Sequence, residues 1–372
     1  MTSPTRWRLW ISLVIGYLVG SVGLVWSLAR LFVDRSDEAD GIPNVTGLWA
    51  YWFSFAALWM LLSVIAWLLH TTPTEAVRLR AASSVTLIVA IALAVRLAIM
   101  MTSNPQLSDD IWRYVHDGHS LAIENRNPYA ASPQELQSPL PINHPQLATI
   151  YQPTSQWIFA GCALVASAMQ PKLNMHPLTV FRLCFLFFDL WIVFLLILKL
   201  KREQRSPWWA TLYAWHPLAI SEVASSSHQD VIGIAFLLTA LTIVDHFGCV
   251  GEGRCRWYIT KALAGGAAFA LTVAVKPLVA PLALPIAWSL RHHARLLFLT
   301  GIMTAVVLAA LYVPFAFMDG GIGRMAATVE TFMTTWAFNG SLHFIVRIII
   351  GSKLTADVLM GLLALVVLSV AT

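Results

Sequence analysis

Apolar runs of about 20 residues recur along this chain, each long enough to cross a ~30 Å hydrocarbon core at ~1.5 Å per helical residue. Candidate spans are residues 10–29, 48–69, 81–101, 177–198, 207–225, 230–247, 294–317 and 354–371. Backbone groups in lipid must be satisfied within the segment, so such runs specify helices. Composition agrees, with 58% hydrophobic and 12% charged residues, against the ~25% charged of soluble domains. The expected fold is therefore an all-α polytopic membrane protein, one helical domain over residues 1–372. The first run, Trp10 to Ala29, is long and has no clear small-residue cleavage site, so it reads as a span rather than a signal peptide.

The net charge of +5 comes largely from basic residues in short connections. That pattern orients a membrane protein and does not indicate a nucleic-acid partner. Arg6 and Arg8 place the N-terminus in the cytoplasm, as Arg78 and Arg80 place the second connection. Lys199, Lys201, Arg202 and Arg205 form the strongest inside signal, followed by Arg254, Arg256, Lys261, Arg291 and Arg295. The acidic stretch DRSDEAD and the polar loop of residues 102–154 belong outside. For this orientation to hold, the apolar stretch 155–169 must not cross. It reads as a re-entrant or interfacial helix ended by Gln170-Pro171. The stretch 258–289 is too long for one crossing and reads as two half-length helices meeting at Lys276-Pro277. The chain stops on an apolar run, which reads as a shortened C-terminus.

The four cysteines, Cys162, Cys184, Cys249 and Cys255, lack metal-ligand spacing. Chemistry concentrates instead in LSDDIWRYVHDGHSLAIENRNPY, residues 107–129. At helical spacing Asp110, Arg113, Tyr114 and Asp117 share one face, so two acids, a guanidinium and a phenol are expected within reach of one ligand. The bland alternative is a solvated surface helix with Asp109 as its N-cap. A loop this long is uncommon without a function, which favours the first reading. A second cluster, Ser225-Ser226-Ser227-His228-Gln229-Asp230, follows the 207–225 run.

Arg96, Arg182 and Lys276 lie within or beside apolar runs. A cation at membrane depth costs roughly 3 kcal/mol or more and needs a partner or a job. Arg182 either pairs with Asp189, two turns on, or faces a ligand; Arg96 poses the same choice. Lys276, at a helix break, is better placed to meet a ligand. A third segment, residues 330–344, carries Trp336, Asn339 and His343, with Trp336 alone explicable as an interfacial anchor. Asn44 and Asn339 also stand in formal glycosylation sequons.

The strings SDDIWRYVHDG, NPY, INHP and TIYQP, in that order, resemble the first outer loop of polyprenyl-phosphate-sugar-dependent glycosyltransferases of the GT-C fold. The resemblance is closest to the bacterial α-mannosyltransferase-like branch. It continues through WHPLAISEVASSSHQD, AVKPLVAPLALP and WAFNGSL, over roughly residues 85–345. Gln152 in TIYQP stands where that branch commonly has Pro, and the C-terminus is shorter than in relatives.

The resemblance implies an integral protein of a bacterial plasma membrane with its active site outside. There a sugar, mannose by family, would move from a polyprenyl-phosphate donor to an acceptor hydroxyl of a glycan or glycolipid by an inverting displacement. It implies Asp109 or Asp110 as general base, with Asp109 preferred as nearer the membrane. Lys276, with Arg113 or His228, would meet the lipid phosphate. Asp230, Asn127, Tyr129 and Asn339 would line the sugar site, and Tyr114, Asp117, Tyr151 and Trp336 complete the substrate-binding set. No cofactor is expected, although a divalent metal between Asp109 and Asp110 would also suit adjacent carboxylates. The rival readings are a transporter or flippase for a lipid-linked sugar, and a non-catalytic membrane partner.

Overall fold

The computed structural model describes residues 4–31, 44–71, 81–103, 107–244, 255–335, 341–351 and 359. Among the described residues the regular structure is helical. The long elements are α1 (Pro4–Ala29), α2 (Val45–Thr71), α3 (Ala81–Thr102), α4 (Asp110–Ala122), α5 (Pro153–Leu173) and α6 (Pro177–Arg202). After a broken segment come α7 (Asp230–Val244), α8 (Cys255–Val273), α9 (Ala283–Ser289), α10 (Ala294–Phe317), α11 (Gly323–Thr335) and α12 (Ser341–Ile350). Five helices (α1, α2, α3, α6 and α10) are long and apolar enough to cross a membrane. The chain is an integral membrane protein with a helical, polytopic fold. The expected span 354–371 falls almost wholly outside the described residues.

Four clusters of buried side chains hold the described helices together, two of them around the elements nearest the site. Tyr17, Leu24, Leu58, Ile88, Ala92 and Val95 join α1, α2 and α3. Tyr114, Phe159, Phe181, Phe185 and Ile232 join α4, α5, α6 and α7. Many large apolar groups remain outside, among them Trp52, Phe53 and Trp67 on α2 and Phe298 and Val306 on α10. Water would penalise that surface, whereas lipid solvates it.

The 207–225 run is not the single span its hydropathy predicts. It is a 3-10 turn (Pro207–Ala210), two single helical turns (Thr211–Ala214 and Pro217–Ile220) and a π-helical turn (Ser221–Ser225). Pro217 has no N–H to continue the ladder, and the Leu218 amide bonds the His216 Nδ1 instead (3.2 Å). The break strips carbonyls of their helical partners, and side chains replace them. Arg96 Nη1 donates to the Ala214 carbonyl (2.7 Å) and the Tyr17 hydroxyl to that of Trp215 (2.9 Å). Arg182 donates to the carbonyls of Met100 (2.9 Å) and Ala224 (2.6 Å).

Arg182 therefore does not pair with Asp189. Asp189 forms a fully buried ion pair with Arg96 and also accepts from the Tyr213 hydroxyl (2.8 Å). Helical spacing put Asp189 two turns from Arg182, but Arg96 approaches it from α3, a pairing between distant parts of the chain.

The break at Lys276-Pro277 is as expected: α8 ends at Val273 and a 3-10 turn (Pro277–Leu282) leads into α9. The 155–169 stretch is longer than predicted. As α5 it runs for 21 residues, through Pro171, to a left-handed cap at Asn174. Its first turn buries Thr154, Ser155 and Gln156, and the Thr154 amide donates to the Ala274 carbonyl at the end of α8 (3.0 Å).

Removing one member of the buried pair should be far worse than removing both. Arg96→Met strands the Asp189 carboxylate and is expected to cost ~3–5 kcal/mol. Arg96→Met with Asp189→Leu should recover much of that loss, less what the Ala214 carbonyl and the Tyr213 hydroxyl lose with their partners. Chemical unfolding in detergent of the parent, of Arg96→Met and Asp189→Leu singly, and of the double variant checks the order.

Candidate functional site

The long loop is organised by α4, which lies directly on α5. At Gly118 the two backbones are so close that a Cβ would stand 2.4 Å from the Phe159 carbonyl oxygen. Only glycine permits that approach. As a result the face shared by Arg113, Tyr114 and Asp117 packs inward. Tyr114 is buried and stacks on Phe159, ring centroids 4.7 Å apart. Asp117 is buried and accepts from Gln156 Nε2 (3.0 Å). Arg113 donates to the carbonyls of Leu147 (2.8 Å), His144 (3.0 Å) and Asn143 (3.4 Å). Helical spacing correctly put these side chains on one face, but that face meets α5 and the returning loop rather than an open site.

Arg113 thereby sets the position of Asn143, whose Nδ2 donates to Asp110 Oδ1 (2.9 Å). Asp109 occupies the N-cap position without a side-chain cap hydrogen bond. The Asp110 amide instead meets the Ser108 hydroxyl (3.2 Å), so Asp109 is the N-cap residue by position, as the bland reading has it, but does not cap with its side chain.

Asn127 and Tyr129 are buried too and anchor the far side of the loop. Asn127 Nδ2 donates to the carbonyls of Gly321 (2.8 Å), Asp319 (3.2 Å) and Phe315 (3.3 Å), tying the loop to the end of α10. Tyr129 donates its hydroxyl to the Tyr151 carbonyl (2.8 Å), and the Tyr151 ring meets Tyr114 edge-on. Arg324, at the start of α11, grips Glu135 with two hydrogen bonds (2.7 and 2.8 Å).

What the structure brings together are the charged groups on four separate elements. His228 Nε2 lies 3.7 Å from Asp110 Oδ2, across from the first turn of α4. On its other edge His228 Nδ1 is hydrogen-bonded to Glu222. Beside them Asp230, the first residue of α7, is ion-paired with Lys276 at the α8 break. The π-helical turn makes this possible: Ser226 N–H reaches back to Ser221 O and His228 N–H to Glu222 O (both 2.9 Å). Ser227 takes a left-handed conformation (φ 58°), a strained choice for a residue with a Cβ and one concentrated at functional sites. Ser155 donates to Gln229 (2.7 Å), locking the turn onto α5.

Glu222 was not among the residues expected from sequence. Its signal was available, an acid six positions before His228 in WHPLAISEVASSSHQD, but a regular helix would not place the two side by side. Trp336 and Asn339 lie outside the described residues. Among the described residues no group of three or more His, Cys, Asp or Glu gathers as a metal site would require.

Burial acts oppositely on two of these groups. Burial pushes the Asp117 carboxyl above its ordinary range, outweighing Arg113 and the Gln156 and Thr149 hydrogen bonds, which pull it down. Burial also pulls the His228 imidazole down, but the Glu222 hydrogen bond and the charges of Glu222, Asp110 and Asp230 together raise it. For Asp117 the sign gives a test. A raised folded-state value favours the fold below the ordinary 3.8 and loses that contribution as pH rises through the raised value. Asp117→Asn, which can still accept from Gln156, should leave stability near neutral pH unchanged or higher. Its advantage should fade toward acid pH in denaturation measured across that range.

A model of the alpha-(1->6)-mannopyranosyltransferase family, N-terminal domain, matches residues 11–293, more than half of the chain. Neither the curated proteins nor the solved structures include a match. The matched region contains the long loop, the broken segment and the Lys276 break. By this match the chain belongs to the alpha-(1->6)-mannopyranosyltransferase family, a family of GT-C mannosyltransferases.

Proposed function

We propose that the chain transfers mannose from a polyprenyl-phosphate-mannose donor to a hydroxyl of a glycan or glycolipid on the non-cytoplasmic side of the membrane. The observation that carries this reading is the meeting of Asp110 with His228 and the Lys276–Asp230 pair where four elements converge. One end of the cluster offers a carboxylate base and the other offers the Lys276 cation. Glycosyl transfer from a phosphate needs both.

In this mechanism the acceptor hydroxyl attacks the anomeric carbon while the bond to the donor phosphate breaks. Asp110 takes the hydroxyl proton, acting as general base within hydrogen-bond reach. Asn143 holds its other oxygen, so the reactive one keeps its aim. The phosphate leaves with the bonding electrons, and Lys276 stabilises the charge that develops there. Asp109 was the favoured base on its nearness to the membrane; the contacts of Asp110 with Asn143 and His228 support Asp110 instead. A single displacement inverts the anomeric centre. An alpha product, which the family name implies, then requires a beta-linked donor.

Asp110→Asn should lower turnover ~10²–10⁴-fold and leave donor affinity nearly intact. Asp109→Asn should change turnover much less. Single-turnover transfer in detergent, with beta-linked polyprenyl-phosphate mannose and a synthetic mannoside, measures both. Transfer without a sealed bilayer also separates this reading from transport alone.

Sidedness can be read independently. On a cysteine-free background, Gln134→Cys in the loop should react with an impermeant thiol reagent in intact cells. Lys201→Cys at the end of α6 should react only after the membrane is opened. Both positions are exposed, so equal labelling in intact cells would contradict the proposed orientation.

A further inference from the structure

The proposed chemistry uses Asp110 and Lys276, but it leaves the joined pair of His228 and Glu222 unexplained. An isolated exposed ion pair would contribute little and would need no special backbone. This pair is different. It is built by a π-helical turn, a left-handed Ser227 and the Arg182 hydrogen bond to Ala224, all within one short stretch. The backbone also closes on itself there, with His228 N–H on the Glu222 carbonyl. Two separate contacts thus tie Glu222 to His228.

We infer that Glu222 is a positioning residue that holds the Nδ1–H of His228, so that Nε2 faces Asp110 and receives the proton Asp110 takes from the acceptor. This rests on the reading of Asp110 as the base. The imidazole has two nitrogens, and a partner on one decides what the other presents. With Nδ1–H donated to the Glu222 carboxylate, the neutral ring offers a lone pair at Nε2. During transfer the acceptor O–H breaks, the new O–C bond forms, and the proton moves to Asp110. The bond from the anomeric carbon to the phosphate oxygen breaks, its electron pair leaving with the phosphate. Asp110 then passes the proton to Nε2, and the carboxylate is ready for another acceptor. The imidazolium, opposite the Glu222 charge, later releases the proton to water at its exposed edge. The 3.7 Å from Nε2 to Asp110 is somewhat long for direct transfer, but such contacts tighten when substrate binds.

The charged groups around His228 are Glu222 on the π-helical turn, Asp110 on α4, and Asp230 on α7 with its partner Lys276. The Tyr51 phenol of α2 sits beside Ser221 and Glu222. Their combined charge raises the imidazole above its ordinary 6.5 despite burial. A relay of this kind requires neutral His228, so turnover should rise with pH through the His228 midpoint. Removing the Glu222 charge should lower that midpoint and shift the rise to lower pH.

The test compares the parent with Glu222→Gln, Glu222→Ala and Asp110→Asn, each checked for folding by thermal unfolding. Nitrogen-15 NMR of the histidines, with His228→Gln to assign the resonance, reads tautomer and midpoint without substrate. The parent should show the Nδ1–H tautomer and a midpoint above 6.5. Glu222→Gln should keep the tautomer but lower the midpoint, and Glu222→Ala should lose both. Asp110→Asn should lower the midpoint as well. With beta-linked polyprenyl-phosphate mannose and a mannoside acceptor, Glu222→Ala should lose about 10-fold or more in kcat with donor KM unchanged. The acid limb of its pH profile should move down with the NMR midpoint.

An Nε2–H tautomer in the parent overturns the inference, as does a folded Glu222→Gln variant whose midpoint and acid limb do not move. If Asp110→Asn transfers at the parent rate, the base assignment fails and the relay with it. If Asp110→Asn is inactive but the Glu222 variants leave the acid limb in place, the relay alone fails.

Discussion

A helix that breaks among apolar side chains exposes carbonyls that lipid cannot satisfy, and the rest of this structure is arranged around that problem. Between Pro207 and Ser225 the chain makes short turns instead of one span. Arg96, Tyr17 and Arg182 answer the freed carbonyls of Ala214, Trp215 and Ala224. Arg96 is itself neutralised by Asp189, with both side chains fully buried. A buried ion pair gives uncertain net stability. Here it also fixes where a broken backbone can sit, because the same guanidinium serves the carboxylate and the carbonyl.

That constraint reaches the site through a few contacts. Arg182 sets the π-helical turn, the turn sets Glu222 against His228, and His228 faces Asp110. From the other side, Arg113 holds the loop carbonyls so that Asn143 can hold Asp110. Gly118 lets α4 lie against α5, and Ser155 ties α5 to Gln229. Asp110 is therefore positioned by two buried arginines that do not touch it. Such indirect support is expected where reacting groups must hold their geometry without substrate.

The family assignment and the site geometry bear on different questions. The match to an alpha-(1->6)-mannopyranosyltransferase N-terminal domain speaks to the class of chemistry. It does not rank one carboxylate over another. The ranking of Asp110 above Asp109 rests on its hydrogen bond with Asn143 and on the imidazole opposite it. Conversely, the buried polar residues of the loop, Asn127, Tyr129 and Asp117, are spent on carbonyls and amides of the protein itself. Their presence in an ordered motif set is compatible with either role, and only contacts distinguish the two.

Hydropathy was enough to indicate a helical membrane protein, the long apolar helices α1, α2, α3, α6 and α10, and the break at Lys276. Those features depend on local composition over about 20 residues. The motif order was enough to indicate a GT-C mannosyltransferase. What local pattern could not reveal was which partners distant side chains choose. Asp189 lies two turns from Arg182 on one helix, yet it pairs with Arg96 from another. A helical period places Arg113, Tyr114 and Asp117 on a common face but is silent about what covers that face. Glu222 and His228 meet only because the backbone widens into a π-helical turn, held from outside by Arg182. Sequence by itself determined where the long apolar helices lie, though not the breaks within 207–225, and which residues could carry charge to the site. Tertiary structure decided which of those charges face one another, because that depends on contacts between residues far apart in the chain.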